Sequence, residues 1–210
     1  GGDLAISHEI NLRGSAYTVV MNADAMGKSM QGAGGALVLG SAVKSIITRT
    51  NSAPELRRDS PEQWLRRCYL DLQALFISFD GTMIISLILG LIDRENGSFL
   101  WINAEHPRPV LYRNGKAEFF RKEHVLRKIG VDDDRIPFAI NAAQLDPGDV
   151  VFLGSDGRDD IRFVEEDGRR TMNEDESFFL NLSTRSEGNL EKLIDLIEAS
   201  GEITDDLTLI

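Results

Sequence analysis

Two Asn-Gly pairs divide the middle of the chain into short β-rich segments, and this feature constrains the fold more than any other. Asn96-Gly97 and Asn114-Gly115 each lie between stretches rich in apolar and β-branched residues. Asn-Gly favours a two-residue hairpin turn, because both of its residues tolerate a positive φ. The pattern therefore predicts antiparallel strands at Met83–Arg94, Ser98–Ala104, Pro109–Arg113 and Lys116–Phe120.

Patterns elsewhere predict helices and further strands. Ser60-Pro61 indicates the start of a helix, because Ser caps the free N–H groups and Pro suits the first helical position. Small residues followed by apolar ones from residue 29 onward indicate a buried helix that is packed closely at its start. The helices are predicted over residues 29–50, 61–78 and 189–200, and the other strands over 4–12, 16–23, Val150–Gly154 and Asp206–Ile210.

Antiparallel strands with segregated helices predict an α+β fold. The chain shows no internal repeat, no low-complexity tract and no linker rich in Pro, Gly or Ser. We therefore expect a single domain over residues 1–210.

Charge and composition exclude several classes of protein. The chain carries 23 basic and 34 acidic residues, a net charge of −11 that argues against nucleic-acid binding. The longest apolar stretch, Met83–Ile92, is too short to span a bilayer, and no signal peptide is recognisable. A single cysteine, Cys68, excludes an internal disulfide. We expect a cytoplasmic domain that makes no membrane contact.

The whole negative charge falls in residues 121–210, since residues 1–120 carry equal numbers of acidic and basic side chains. A solvated acidic face is one interpretation of this bias. The other is that a few carboxylates converge on a divalent cation, which prefers oxygen ligands.

Four acidic positions lie at the edges of predicted strands, where a rigid sheet can aim side chains at one point. They are Asp3, Asp24, Asp156 and the pair Asp205-Asp206. Each has a simpler explanation, since Asp is common in turns and at strand ends. Together they are compatible with a two-metal site, whose ions can activate a water and polarise a phosphoryl group.

Gly27-Lys28-Ser29 matches the second half of a phosphate-binding loop. The first glycine of that motif would fall on Asn22, and Asp24 would place a negative charge inside the loop. The predicted antiparallel hairpins also differ from the βαβ units of such nucleotidases. An ATP-hydrolysing switch is therefore disfavoured.

Several motifs, in their order along the chain, resemble those of the PPM-type (protein phosphatase 2C-like) serine/threonine phosphatases, and specifically the bacterial stage II sporulation protein E-like branch. The match extends over residues 1 to 210. The motifs are Gly1-Gly2-Asp3, Asp24-x-Met26-Gly27, Ala104-Glu105-His106-Pro107-Arg108-Pro109, Leu145-x-Pro147-Gly148-Asp149-Val150, Ser155-Asp156-Gly157 and Asp205-Asp206-Leu207-Thr208-Leu209.

The resemblance implies a four-layer αββα sandwich, with two antiparallel sheets flanked by helices and a site for two Mn²⁺ or Mg²⁺ ions. It implies that Asp24 bridges both ions and that the carbonyl of Ala25 joins one of them. Asp156 and Asp205 would complete the ligand set, and Asp3 would act close by. The catalytic residues implied are therefore Asp24, Asp156 and Asp205.

The same resemblance implies hydrolysis of phosphoserine or phosphothreonine on a regulatory protein, such as an anti-sigma-factor antagonist, by a water that two metal ions activate. A strand normally precedes Gly1-Gly2-Asp3 in this family. We therefore expect the chain to be the C-terminal part of a longer regulatory protein with an upstream sensor or membrane region. A homodimer is left open.

Four positions mark departures from the family or carry two interpretations. Lys28 either places a positive charge beside the incoming phosphate or is a solvated residue. Glu105 replaces a glycine, so the loop around it is expected to be reshaped. Arg158 stands in a segment where the family has another pattern. His106 either donates a proton to the leaving group or is satisfied within a turn. The departures keep open a catalytically silent module that binds a phosphoprotein without turnover.

Overall fold

The computed structural model describes residues 2–27, 30–133, 135–164 and 169–210. These residues form two compact units. Unit 1 comprises Gly1–His106 and Lys122–Asp146, and unit 2 comprises Pro107–Arg121 and Pro147–Ile210.

The described elements occur along the chain as runs of strands separated by pairs of helices. The strands are β1 (Asp3–Leu12), β2 (Ser15–Met26), β3 (Ile84–Asp93), β4 (Ser98–Ala104), β5 (Val110–Arg113), β6 (Lys116–Phe119), β7 (Val125–Leu126), β8 (Asn141–Gln144), β9 (Val150–Phe152), β10 (Ile161–Val164), β11 (Arg170–Met172) and β12 (Glu202–Ile203). The α-helices are α1 (Met30–Ser52), α2 (Pro61–Ile77), α3 (Phe178–Arg185) and α4 (Leu190–Glu198), and 3-10 helices lie at Leu56–Arg58 and Asp156–Arg158.

Unit 1 is built on one large sheet in the order β1-β2-β3-β4-β7, with β8 also paired to β4. The first four strands are antiparallel neighbours, and β7 runs parallel to β4. β3 is buried along most of its length, which explains its nearly continuous apolar sequence. Apolar residues of this sheet form one core with buried residues of α1 and α2.

Unit 1 contains two long helices, α1 and α2. Ser60 and Gln63 form a capping box at the start of α2, with Pro61 in the first turn, as the sequence predicts. α1 is long and apolar enough to cross a membrane by length and composition, with a mean hydropathy of 1.2 over 18 residues. In the structure its residues Leu39, Val43 and Ile47 belong to the core of unit 1.

Unit 2 contains two small sheets in the orders β6-β5-β9 and β11-β10-β12. Its core is formed by apolar residues of β5, β9 and β10 together with one face of α3 and of α4. Asn189 caps α4 by accepting a hydrogen bond from the backbone N–H of Lys192 at 2.8 Å. Its strands are two to four residues long, so unit 2 depends on side-chain packing more than on extended ladders.

The predicted α+β fold is confirmed, as are the helices from residues 30 and 61 and the helix near the C-terminus. The four-layer sandwich and the single domain stay predictions. β7, β8, β10, β11, β12 and α3 were not predicted, because these segments are short or lack a clear period.

The two Asn-Gly pairs behave differently. Asn114 and Gly115 both have positive φ, at 51° and 80°, and form the predicted two-residue turn between β5 and β6. The connection between β3 and β4 spans residues 94–97, so the predicted two-residue turn at Asn96-Gly97 is wrong. The carboxylate of Asp93 explains the longer loop, because it accepts hydrogen bonds from the backbone N–H groups of Glu95 and Asn96.

The predicted C-terminal strand is replaced by an extended segment with an isolated bridge between Gly154 and Leu209. The backbone groups of Leu153 and Ile210 exchange two hydrogen bonds of 3.0 Å. The segment thus still pairs with the chain that follows β9, as a strand would.

Candidate metal centre

In unit 1, antiparallel pairing places Asp3 opposite Asp24. The β1–β2 ladder runs from that pair to Leu12 and Ser15 beside the hairpin turn, so it sets the two acidic residues at one end of the hairpin. Ala25 follows Asp24 on β2 and is buried, and its N–H donates to the carbonyl of Gly2 at 3.0 Å. Regular strand pairing therefore brings three of the predicted site residues to one place.

Small residues allow the backbone to approach this end of the hairpin closely. A Cβ on Gly2 would overlap the carbonyl oxygen of Ala25 and would lie 3.0 Å from the Asp24 carboxylate. A Cβ on Gly35 of α1 would lie 2.8 Å from the Cβ of Ala25. The small residues predicted to let the start of the helix pack closely therefore lie against the strand that carries Asp24. Because Gly2 has no side chain, the volume next to the Asp24 carboxylate and the Ala25 carbonyl is not filled by a Cβ at that position.

Asp3 has one buried carboxylate oxygen, Oδ2, with no hydrogen-bond partner among the described residues. Burying a carboxylate oxygen without a donor or a cation costs free energy. A cation ligated by Asp3, directly or through water, would satisfy that oxygen.

In unit 2, Asp156, Asp160 and Asp205 each offer a carboxylate oxygen, and these oxygens lie within 4.8 Å of one another. Asp156 begins a 3-10 helix, Asp160 follows that helix, and Asp205 precedes the extended C-terminal segment. The structure thus brings together two of the predicted metal ligands, Asp156 and Asp205.

Hydrogen bonds of the Ser155 side chain and a close approach at Gly157 place the C-terminal segment beside the 3-10 helix. Ser155 is fully buried; its hydroxyl accepts from the N–H of Thr208 at 3.0 Å and donates to the carbonyl of Asp206 at 3.2 Å. A Cβ on Gly157 would overlap the same Asp206 carbonyl. The Ser155-Asp156-Gly157 motif therefore has a structural role, because Ser155 and Gly157 both fix the chain that carries Asp205.

Asp160 is the residue that the sequence analysis missed. Burial raises the pKa of Asp160, and repulsion from the Asp205 and Asp159 carboxylates adds to the rise. The neighbouring Asp159 instead pairs with Arg158 at 3.1 Å. The spacing of Asp156 and Asp160 is the signal that could have identified Asp160, because a single tight turn can bring residues four apart together.

These two groups of residues fit divalent cations. Carboxylate and carbonyl oxygens are the ligands that Mg²⁺ and Mn²⁺ prefer. A cation beside Asp160 would offset the burial and the carboxylate repulsion that raise its pKa, and a cation beside Asp3 would satisfy its buried oxygen. Asp3, Asp24 and the Ala25 carbonyl belong to unit 1, and Asp156, Asp160 and Asp205 belong to unit 2.

His106 is buried, and both of its ring nitrogens are engaged. Nε2 lies 2.7 Å from Oδ1 of Asn22, and Nδ1 lies 3.0 Å from the hydroxyl of Ser86. Its backbone N–H donates to Oδ1 of Asn103 at 2.8 Å. Of the two interpretations of His106, these contacts favour a histidine that is satisfied within the fold. Ser86 is also the ladder partner of Asp24.

Two of the positions that depart from the family motifs, Glu105 and Arg158, are held by specific contacts in the structure. Glu105 has a φ of 48°, so the loop retains the conformation that glycine favours and the expected reshaping is not observed. An ion pair with Arg127 at 3.0 Å holds the Glu105 side chain. Arg158 is 2% exposed and stacks over the ring of Phe179 at 4.4 Å, so it is a core residue of unit 2. Lys28 lies outside the described residues.

Comparison with known proteins decides the family. The sequence profile of the family described as Stage II sporulation protein E (SpoIIE) matches residues 14–210, which is most of the chain. The chain belongs to the SpoIIE family of PP2C-type phosphatase domains. The resemblance inferred from the motifs is thereby confirmed.

One curated protein and two solved structures illustrate what this chain is similar to. Protein IcfG of Synechocystis sp. is 30% identical over 143 residues, covering 62% of this chain and 21% of that protein. The structure of the RsbU and RsbW domains of Rv1364c from Mycobacterium tuberculosis matches with a TM-score of 0.75 and 19% identity, covering 100% of this chain and 55% of that one. The SiaA-PP2C domain of Pseudomonas aeruginosa matches with a TM-score of 0.71 and 18% identity, covering 100% of this chain and 79% of that one.

The structural matches at this identity show that the fold is shared. The chain spans about a fifth of the length of the curated relative it matches and about half of the Rv1364c structure. The activities of those longer proteins are therefore not assigned to this chain by similarity alone.

Proposed function

We propose that this domain is a protein serine/threonine phosphatase that needs two Mn²⁺ or Mg²⁺ ions and acts on a phosphorylated regulatory protein. The observation that carries the proposal is the Asp156–Asp160–Asp205 cluster, whose carboxylate oxygens lie within 4.8 Å of one another in a chain that belongs to the SpoIIE family. Burial and the nearby carboxylates raise the pKa of Asp160, as expected where acidic side chains converge on a cation site.

The residues have distinct roles in this proposal. Asp24 would be a ligand of both ions, and the carbonyl of Ala25 would bind one of them. Asp156 and Asp205 complete the ligand set, with Asp160 beside them and Asp3 acting directly or through water. When bound, the ions supply a Lewis acid for the phosphoryl group and activate the attacking water.

His106 has a positioning role in the proposal rather than a proton-donating one. Its contacts with Asn22 and Ser86 connect β2 to β3 beside Asp24. Because both ring nitrogens are engaged and the ring is buried, His106 holds the strand end that presents the Asp24 carboxylate.

The relatives suggest a substrate and a setting for this proposal. One related structure contains RsbU and RsbW domains, and another is described as part of the bacterial stressosome. We accordingly propose a phosphorylated signalling protein, such as an anti-sigma-factor antagonist, as substrate and the cytoplasm as location. Because the curated relative is much longer, we also propose that the domain is the catalytic part of a larger regulatory protein, either monomeric or homodimeric.

The experiment that tests the proposal measures release of phosphate from a phosphoserine peptide, with and without Mn²⁺. Asp24→Asn preserves the shape of the side chain but removes the bridging charge, so turnover is expected to fall by about a thousandfold or more, equivalent to several kcal/mol. Asp80→Asn is the matched control, because Asp80 is exposed in a turn with a φ of 50° that Asn tolerates.

Three results would change the conclusion. Turnover that survives Asp24→Asn would remove Asp24 from the centre. Binding of a phosphoprotein without turnover, unaffected by Asp24→Asn, would establish the catalytically silent module instead. Tight ATP binding that Lys28→Ala abolishes would favour a nucleotide switch.

A further inference from the structure

A cavity of about 500 Å³ lies in unit 1 where the β1–β2 turn meets the 3-10 helix that precedes α2. Three of its lining residues are arginines: Arg13 in the turn and Arg57 and Arg58 in the 3-10 helix. Pro54 contributes an apolar wall. Three positive charges thus lie together in residues 1–120, where acidic and basic side chains are equal in number.

The side chains of these arginines have no carboxylate partner within 4 Å among the described residues. Other arginines of unit 1 do, since Arg67 pairs with Asp59 and Arg94 pairs with Glu9. Arg57 and Arg58 are exposed, and only their backbone groups make hydrogen bonds within the described part of the chain. Their two guanidinium groups are therefore available to an external anion.

The turn is clamped to the 3-10 helix. The backbone N–H of Arg13 donates to the carbonyl of Arg57 at 2.7 Å, and its Nε donates to the carbonyl of Arg58 at 3.1 Å. Arg13 adopts a φ of 50°, a conformation in which Asn or Gly would be less strained. Strain that is held in place by specific contacts points to a local role for the residue.

This cavity is remote from the acidic residues of unit 1. The ladder that starts with Asp3 and Asp24 ends at Leu12 and Ser15, next to Arg13. Nine residue steps at about 3.3 Å each separate the two ends by about 30 Å. An anion at the arginine cavity would therefore not be a ligand of the proposed metal centre.

We propose that Arg13, Arg57 and Arg58 form a binding site for the phosphate groups of a small organic di- or triphosphate. Guanidinium groups bind phosphate oxygens in a bidentate manner. The two available groups of Arg57 and Arg58, with the charge of Arg13 beside them, suit a multiply charged phosphate group better than they suit a single carboxylate. The cavity is larger than one phosphate needs, which leaves room for an organic part against Pro54. The proposal is independent of the phosphatase activity.

The test is calorimetric titration of the protein with inorganic diphosphate and, separately, with ATP. Both titrations are run in EDTA, so that no divalent ion can recruit phosphate to the acidic residues. The variant Arg57→Gln/Arg58→Gln is expected to bind at least about tenfold more weakly than the wild type, because two charge-assisted interactions are lost. Circular dichroism would show that this exposed double variant is folded.

The matched control is Arg170→Gln/Arg185→Gln, which removes the same charge from exposed arginines of unit 2. Its affinity is expected to stay within about twofold of the wild type, because the lost charges lie outside the cavity. Backbone NMR shifts on titration should be concentrated at Arg13, Gly14 and residues 54–58.

Each outcome bears on the proposal. Weaker binding in the cavity variant alone supports it, and tighter binding of ATP than of diphosphate would show that the organic part contributes. An equal loss in both double variants would indicate non-specific attraction and overturn it. Absence of saturable binding to the wild type, or loss of binding in Asp24→Asn or Lys28→Ala with the cavity intact, would also overturn it.

Discussion

In unit 1, Asp3 and Asp24 lie opposite each other on two long paired strands, whereas in unit 2 Asp156, Asp160 and Asp205 lie on a 3-10 helix and on irregular chain. The first group owes its position to a ladder of ten residue pairs. The second depends on Ser155 and on the close approach of Gly157 to Asp206.

The difference shows two ways of holding acidic side chains. A long ladder distributes the cost of placing a carboxylate over many hydrogen bonds, so single substitutions outside the core should hardly move it. The unit 2 cluster has few supports, and burial together with repulsion from Asp205 and Asp159 raises the pKa of Asp160. We therefore expect unit 2 to be the more responsive to backbone changes and to cation binding.

The largest effect on stability is expected at the buried histidine of unit 1. His106→Ala leaves the side chains of Asn22 and Ser86 without their partner and opens a cavity, which should lower the free energy of unfolding by about 3 kcal/mol. Urea denaturation measures this change. His124→Ala is the control, because His124 is exposed and should change stability by less than about 0.5 kcal/mol. Equal effects of the two substitutions would contradict the structural role of His106.

The next effect tests the support of the unit 2 cluster. Gly157→Ala places a methyl group against the Asp206 carbonyl, so the C-terminal segment must shift and carry Asp205 with it. We expect a loss of about 2 kcal/mol of stability and at least about a tenfold loss of Mn²⁺ affinity. Thermal denaturation and Mn²⁺ titration measure the two quantities. Unchanged Mn²⁺ affinity would show that this contact does not position the cluster.

Two neighbouring glycines of α1 give a matched test in unit 1. Gly35→Ala would bring its Cβ to 2.8 Å from the Cβ of Ala25, so stability should fall by about 1–2 kcal/mol. Gly34→Ala meets only the end of the Met83 side chain at 3.6 Å, so it should leave stability unchanged or raise it by up to about 1 kcal/mol. If both variants were equally destabilised, close packing of α1 on β2 would not be the cause.

The smallest effect concerns pH. The pKa of Asp160 is raised in the folded protein, so its contribution to stability is complete below the pKa of the unfolded chain and is lost as pH rises through the folded pKa. In EDTA, Asp160→Asn should therefore raise the melting temperature slightly at neutral pH and leave it unchanged at acidic pH. With Mn²⁺ at neutral pH the variant should instead be less stabilised than the wild type. A melting temperature in EDTA that fails to rise at neutral pH would contradict the repulsion.

Much of the fold could be predicted because its signals are local. Ser60-Pro61 predicts the start of α2 from capping chemistry, and Asn114-Gly115 predicts its turn from backbone preference. Asn96-Gly97 shows where local prediction fails, since the carboxylate of Asp93 competes for the same backbone groups and lengthens the loop. The small residues of α1 likewise indicate a close contact, but not that the partner is Ala25.

For the candidate centre, the sequence by itself identified the family and singled out Asp3, Asp24, Asp156 and Asp205 as candidate ligands, because the order of motifs can be read without coordinates. Only the tertiary structure decided that Asp160 joins the unit 2 cluster while Asp159 pairs with Arg158. It also decided that both ring nitrogens of His106 are engaged. The physical reason is that hydrogen bonding, burial and charge repulsion depend on residues far apart in the chain, and one-dimensional spacing does not record those distances.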